Sequence, residues 1–312
     1  MKRFGFDHYG DPTVFTTIEA PVPVPKPGQV QLHVLGFGLN PYDASLRRGE
    51  QAAFRKLAFP IVPGTDVVGQ VTALGEGVSA FARGDVVINY RPIGGYSEFV
   101  VASVGKLIKK PAAMPLAAAA GLPQVGLSAY SILQVLALAP GQTLAVEGAS
   151  GGVGALVVQL AKLQHLHVIA TASARNADYV RRLGADEVAA YDEVAVAARF
   201  GDQADATVNA VSGGQDGGAG VAITRPGGTL LTTADAAPTL NGKALDPIQL
   251  GEGKPAKPES AFPALIQAFN EARLNVRVAK QLPFTALGVQ EGHRLLESHH
   301  PAGKLVVMHE PA

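Results

Sequence analysis

Two textures of hydrophobic patterning divide the chain. From residue 1 to about residue 110, apolar and polar positions alternate in short runs. Residues 29–35 (QVQLHVL) and 67–74, where Gln70 and Thr72 interrupt an apolar face, read as half-buried strands, and 85–89 as another. Gly75-Glu76-Gly77 is a hairpin-like break, and prolines at 21, 23, 25 and 27 mark an extended approach to the first long strand. Residues 39–49 interrupt the strands with a loop and a short helix starting near Pro41. The pattern predicts a small, partly closed β-barrel.

From about residue 115 the texture becomes Ala-rich helical segments alternating with short apolar strands at 145–148, 167–172, 188–191, 206–211 and 229–232. Residues 177–183 and 260–272 are among the helices, and Asn176 is placed to cap the helix that Gly184 ends. This is the βαβ rhythm of a doubly wound parallel sheet, so the fold class is α/β. Residues 240–258, rich in Gly, Pro and Lys, read as an exposed loop. Within it Gly251-Glu252-Gly253-Lys254 is too short for a P-loop, and Pro255 stands where a magnesium-binding hydroxyl is needed. After a helix at about 289–298, residues 304–309 are again strand-like and can return to pair with the first domain. The expected division is 1–115 completed by 278–312, with 116–277 between.

The densest chemical signal is QTLAVEGASGGVG at 142–154. A short apolar strand breaks into glycines, and Val153, Leu156, Val157, Leu160 and Leu163 then continue at helical spacing. Strand, tight turn and helix start form a phosphate site, because the first amides of a helix are unpaired and its dipole is positive there. Gly151 leaves room for a pyrophosphate, and Gly154 lets helix and strand pack closely. The fingerprint is imperfect, with Ala149 where a strict G-x-G-x-x-G has glycine. The same letters fit G-x-S-x-G, which would make Ser150 the nucleophile of a serine hydrolase.

The residues beyond the next strand bear on that choice. About 20 positions past the glycines a dinucleotide site meets the adenine ribose, with a carboxylate for NAD or an arginine for NADP. Ser173 and Arg175 stand there, and no carboxylate occurs before Asp178. A hydroxyl and a planar guanidinium suit a dianionic phosphate. A hydrolase has no use for them, and no His-Gly-Gly oxyanion run precedes Ser150.

Composition narrows the picture further. At 312 residues with 47% hydrophobic and 17% charged positions, the chain is globular and long enough for two domains. The 26 basic and 26 acidic residues balance, which argues against nucleic acid or an anionic membrane as partner. No signal-length or membrane-length apolar segment is evident, so a cytoplasmic location is expected. With 0 cysteines, disulfides, thiolate nucleophiles and cysteine-ligated zinc are excluded. His165 with His167, and His299 with His300, lack a carboxylate at ligand spacing, so no metal is expected. Asp43 and Asp66 read equally as turn caps or as partners of Arg47 and Arg48, and Tyr96 as half-buried strand packing.

Several pieces, in order over nearly the whole chain, resemble one family: Leu39–Asp43 (LNPYD), 63–69 (PGTDVVG), 94–100 (GGYSEFV), 126–130 (GLSAY), 148–154 and 303–307 (GKLVV). The chain is similar to the medium-chain dehydrogenase/reductase superfamily, in its zinc-independent quinone oxidoreductase branch. The resemblance implies a chaperonin-10-like (GroES-like) β-barrel domain completed by the tail, beside a Rossmann-like doubly wound parallel sheet. In zinc-dependent relatives a cysteine occupies the place of Asp43 and a histidine that of Thr65. By the family's pattern, Ser150, Gly151, Gly152 and Val153 would hold the pyrophosphate, Ser173, Arg175 and Tyr191 the adenosine phosphate end, and Val211 would touch the cofactor further along. Asn40 would face nicotinamide and substrate. Several quinone reductases carry a tyrosine where this chain has Ser45, which leaves Tyr42 as the candidate helper.

The expected activity is NADPH-dependent hydride transfer to a small quinone or other conjugated carbonyl compound, by a homodimer and without metal. Enoyl-thioester or alkenal double-bond reduction is the alternative within the same chemistry. A NADPH-binding sensor without turnover and a serine hydrolase are the distant ones.

Overall fold

A computed structural model describes residues 1–90, 93–234, 236–250, 256–298 and 302–309. The chain divides into two compact units, Met1–Gln124 with Pro258–Ile266 and Val276–Ala312, and Val125–Lys257 with Gln267–Asn275. Among the described residues no helix is long and apolar enough to cross a membrane.

In the first unit β1 (Lys2–Gly5) and β2 (Thr16–Glu19) form an antiparallel ribbon. The spine of the larger sheet is β3 (Gln29–Leu39), which pairs antiparallel with β4 (Asp66–Leu74), and β4 in turn with β5 (Val86–Tyr90). A further strand, β6 (Phe99–Ser103), lies on β3, and β7 (Leu107–Lys109) closes on β5. The tail strand Lys304–Met308 runs antiparallel to β3, and Val278–Pro283 lies parallel beyond it. Spacing alone ends β3 at residue 35, because Gly36 and Gly38 break the alternation. Both are close-approach positions: a Cβ on Gly36 would collide with the Met308 sulfur, and one on Gly38 would fall 2.6 Å from the Ala120 carbonyl oxygen. Phe4, Phe6, Phe15, Val34, Phe37, Tyr96 and Val307 share the buried core inside these strands.

Helix α1 (Pro41–Arg48) starts where Pro41 pre-sets the backbone and ends at Gly49, whose φ of 82° is left-handed. Helix α2 (Leu116–Gly121) buries its alanines, and a Cβ on Gly121 would sit 3.1 Å from the Lys304 side chain. Because α2 packs against the tail strand and β3, the first compact unit runs to Gln124 where the change of texture alone places its end at 115.

The second unit begins with most of α3 (Pro123–Leu136), followed by β8 (Thr143–Glu147), α4 (Gly152–Leu163), β9 (His167–Ala172), α5 (Ala174–Arg182), β10 (Glu187–Ala190), α6 (Val196–Phe200), β11 (Ala204–Asn209), α7 (Ala219–Ile223), β12 (Thr224–Thr232) and β13 (Asp246–Gln249). The six strands are parallel, in the order β10-β9-β8-β11-β12-β13. The order reverses between β8 and β11, and ligands of such sheets bind at the carboxyl ends beside that switch point.

Two expectations are corrected. The 240–258 stretch is not all loop, since Asp246–Gln249 is the sixth strand; it pairs on one side with β12 and therefore tolerates Pro247. The P-loop comparison at 251–255 falls outside the described residues. Asn176 does not cap α5, because Ser173 has the cap position and Asn176 lies inside the first turn, donating from Nδ2 to Ser173 Oγ at 3.1 Å.

Candidate functional site

The glycine turn sits at the switch point. Its tight corner is made by Gly148, whose φ is 68° and on which a Cβ would fall 2.9 Å from the Ala210 carbonyl oxygen at the end of β11. A Cβ on Gly154 would collide with the Gly148 carbonyl oxygen, so only glycine lets α4 start this close to the strand. Gly151 has the cap position of α4, and no side chain among the described residues caps the helix. The first-turn amides of Gly152 and Val153 therefore have neither an intrahelical acceptor nor a side-chain one. The Gly151 amide itself is engaged, donating to the Gly148 carbonyl at 2.9 Å, so Gly151 offers space rather than a donor. Ser150, half-buried, makes no hydrogen bond to a histidine among the described residues, and it is Gly148, not Ser150, that adopts the left-handed turn conformation.

At the end of β9, Ser173 is half-buried and its oxygen accepts from Asn176, while its own hydrogen has no acceptor among the described residues. Arg175 is exposed and has no ion-pair partner among the described residues. Tyr191 is 61% exposed and comes directly after β10, with its amide on the Ala172 carbonyl at 3.1 Å. Val211, half-buried after β11, donates its amide to Asn209 Oδ1 at 3.0 Å, beside Gly148. Spacing does not single out Asp192, whose Oδ1 accepts the Ala174 amide at 2.8 Å and so places a carboxylate at the start of α5. Its neighbour Tyr191 is the one signal in the sequence that points there.

The first unit holds a buried polar network around Asn40. Asn40 is 1% exposed; Nδ2 donates to Thr65 Oγ1 at 3.1 Å and to Asp66 Oδ2 at 3.0 Å, and Oδ1 accepts from Lys304. The Lys304 ammonium also reaches the Leu39 carbonyl at 3.0 Å and Asp66 Oδ2 at 3.4 Å. Asp66 Oδ1 accepts the Gln124 amide at 2.9 Å. Burial raises the Asp66 carboxyl above its ordinary range, against the pull of Lys304, and burial lowers the Lys304 ammonium. Asp43 takes the amides of Asn40 and Gly64, each at 3.0 Å. Burial pushes its carboxyl up to about 7, the Asp66 carboxylate adds to this, and the Gly64 amide, the Tyr96 hydroxyl and the Asn40 amide pull back. Neither aspartate pairs with Arg47 or Arg48; those two meet Glu297. Tyr96 is fully buried rather than half-buried, stacked on Phe37 with its hydroxyl 3.3 Å from His293 Nε2.

Tyr42 stands apart from that network. It is half-buried near the start of α1, and its hydroxyl oxygen accepts from Arg55 Nη1 at 2.5 Å. Nothing in the sequence singles out Arg55, because no spacing rule ties it to Tyr42. Among the histidines, His167 does have carboxylates nearby, with Nε2 3.2 Å from Glu187 Oε1 and Nδ1 3.7 Å from Asp186 Oδ2. These neighbours come from the start of β10 and are invisible to local spacing. No group of three or more His, Cys, Asp and Glu placed to hold a metal occurs among the described residues. His299 and His300 lie outside them.

Comparison with known proteins accords with this geometry. Residues 26–112 match the alcohol dehydrogenase GroES-like domain and residues 183–307 the zinc-binding dehydrogenase model. The residues here do not fit the zinc of that second description, since the chain has 0 cysteines and Asp43 and Thr65 are engaged in the network above. A chloroplast envelope quinone oxidoreductase homolog of Arabidopsis thaliana is 38% identical over 229 residues, covering 68% of this chain and 69% of that one. The structure of the quinone oxidoreductase from Coxiella burnetii superposes with a TM-score of 0.85 at 27% identity over 99% of both chains. A mycobacterial protein solved in complex with NADPH gives 0.84 at 26% identity, over 99% of this chain and 100% of that one. The chain belongs to the medium-chain dehydrogenase/reductase superfamily of oxidoreductases, in its quinone oxidoreductase branch.

Proposed function

We propose that the protein is an NADPH-dependent reductase of quinones or related conjugated carbonyl compounds. The observation that carries the reading is the start of α4 at the switch point, uncapped by any described side chain, with Arg175 exposed and without an ion-pair partner among the described residues one strand away. The amides of Gly152 and Val153 hold the pyrophosphate, with Ser150 and Gly151 lining the turn. Ser173 and Arg175 hold the adenosine phosphate, Tyr191 lies alongside, and Val211 forms a wall further along. A bound nicotinamide supplies a hydride.

The acceptor's own conjugation carries the electron pair to an oxygen, so the protein must supply a proton there and need not supply a metal. Tyr42 is suited to this: its oxygen already accepts from Arg55, so its hydrogen is left for the acceptor. The phenolate formed on transfer is stabilised by the Arg55 guanidinium and takes a proton back from solvent. Asn40 acts as a positioning residue, because both of its amide hydrogens are already donated within the protein. On the same reading we infer a homodimer, for which β13, paired only with β12 among the described residues, offers an edge.

The test monitors NADPH absorbance against a panel of ortho- and para-quinones, enones, enals and enoyl thioesters, with and without EDTA. Reduction of quinones or enones, unchanged by EDTA, is the expected result. Preference for the thioesters would move the substrate class, NADPH binding without turnover on any acceptor would make the protein a sensor, and efficient oxidation of simple alcohols would overturn the reading.

A further inference from the structure

Glu147 ends β8 with its side chain buried at 1% exposure, paired in register with Asn209 of β11. It follows the apolar run Leu144, Ala145 and Val146, and its Oε2 has no hydrogen-bond partner among the described residues. A Cβ on Gly220 would fall 2.5 Å from that Oε2 and 2.8 Å from Asp216 Oδ2, so the two carboxyls face one spot that is open only because residue 220 is glycine. Asp216 in turn accepts the Gly218 amide at 2.8 Å and the Gly220 amide at 3.0 Å. From the other side Asn209 Nδ2 donates to the Gly214 carbonyl at 2.9 Å, and Oδ1 accepts the Val211 amide at 3.0 Å.

The segment between these anchors has little conformational preference of its own. Gly213, Gly214, Gly217 and Gly218 all have positive φ, at 73°, 72°, 66° and 83°. Something outside the segment must therefore hold it. We propose that Glu147 is a positioning residue for the cofactor site, latching segment 211–218 through Asp216 and so fixing Val211 beside the glycine turn. The inference rests on the cofactor reading above.

With both carboxyls ionised neither has a hydrogen to donate, and the Glu147 oxygen is left an orphan beside a like charge. A proton on Glu147 removes the repulsion and makes it a donor to Asp216. Burial, with the hydrogen bond and charge of Asp216, pushes Glu147 up to about 10, so the latch is closed at neutral pH. Asp216 is the charged group that acts on it; α7 (AGVAI), Asn209 of β11 and Leu230 of β12 bring none. Loss of the proton at alkaline pH sets two negative charges against each other and releases the latch.

The test uses the full chain in three forms, wild type, Glu147→Gln and Glu147→Leu. NADPH dissociation constants are measured from pH 7 to pH 10.5, together with amide hydrogen exchange of 211–220 without cofactor at one pH. Wild-type affinity should fall about fourfold across that range as Glu147 ionises, and Glu147→Gln, which keeps a donor that cannot ionise, should show a flat profile. Glu147→Leu should bind about tenfold more weakly at pH 7, with faster exchange confined to that segment. An alkaline loss of the same size in Glu147→Gln, or unchanged affinity and exchange in Glu147→Leu, would overturn the inference while leaving the cofactor site intact. Failure of wild type to bind either NADPH or NADH would overturn the cofactor reading and this inference with it.

Discussion

Replacing Lys304 by Met tests the central claim about the first unit, that a buried ammonium holds the Asn40 network together. Methionine keeps most of the apolar stem and removes the charge and all three contacts, to the Leu39 carbonyl, Asn40 Oδ1 and Asp66 Oδ2. Asp66 is 0% exposed, so its carboxylate is left buried without a counter-charge, though the donors from Asn40, Thr65 and Gln124 remain. Breaking a buried pair in this way costs about 3–5 kcal/mol. The two acceptors that lose a donor cost about 1–3 kcal/mol each when unsatisfied, and this overlaps with the first figure because all arise from one ammonium. The expected loss in urea unfolding at pH 7 is therefore about 3–5 kcal/mol. Asp66→Asn combined with Lys304→Met removes both charges, so its loss should fall short of the sum of the single losses by about 2 kcal/mol. A loss below about 1 kcal/mol for Lys304→Met, or strict additivity in the double variant, would refute the claim.

Four other outcomes are expected. Arg175→Ala should weaken NADPH binding by about 1.5–3 kcal/mol and leave NADH nearly unchanged, whereas Asp192→Asn should strengthen NADPH binding by removing a carboxylate from the start of α5; titration calorimetry with both cofactors checks each. Tyr42→Phe should slow turnover by less than about 10²-fold, and Arg55→Met should slow it similarly without adding to Tyr42→Phe in the double variant, as steady-state rates will show. Glu147, raised from 4.5 to about 10, holds a proton in the folded state that the unfolded chain releases above 4.5, so its contribution makes stability fall as pH rises through that window. Thermal unfolding should then show Glu147→Gln gaining on wild type as the pH is raised from about 6 to about 9.

How much of this was legible in the sequence depends on whether a residue's partners are local. The strand–turn–helix at 142–154 announces itself because its elements are consecutive, and β9 comes at the expected place with the bounds His167–Ala172. The sixth strand does not, since Asp246–Gln249 carries a proline and draws its strand character from β12 rather than from its own residues. Glu187 and Asp186 beside His167 come from the next strand, and Arg55 reaches Tyr42 across a turn, so spacing rules along the chain miss both.

The same distinction explains the difference between Asn40 and Tyr42. Both stand in the LNPYD stretch, where the family resemblance implies that Asn40 faces nicotinamide and substrate and Tyr42 is the candidate helper in place of the tyrosine replaced by Ser45. Three-dimensional partners separate them: Asn40 is enclosed by Thr65, Asp66 and Lys304, drawn from β4, its approach and the tail, while Tyr42 accepts one strong hydrogen bond and keeps its own proton. A side chain whose donors are all engaged inside the protein can orient others but has nothing to give a substrate oxygen. On the proposed function, proton delivery falls to Tyr42, while Asn40, with both amide hydrogens given to Thr65 and Asp66, serves by holding the start of α1.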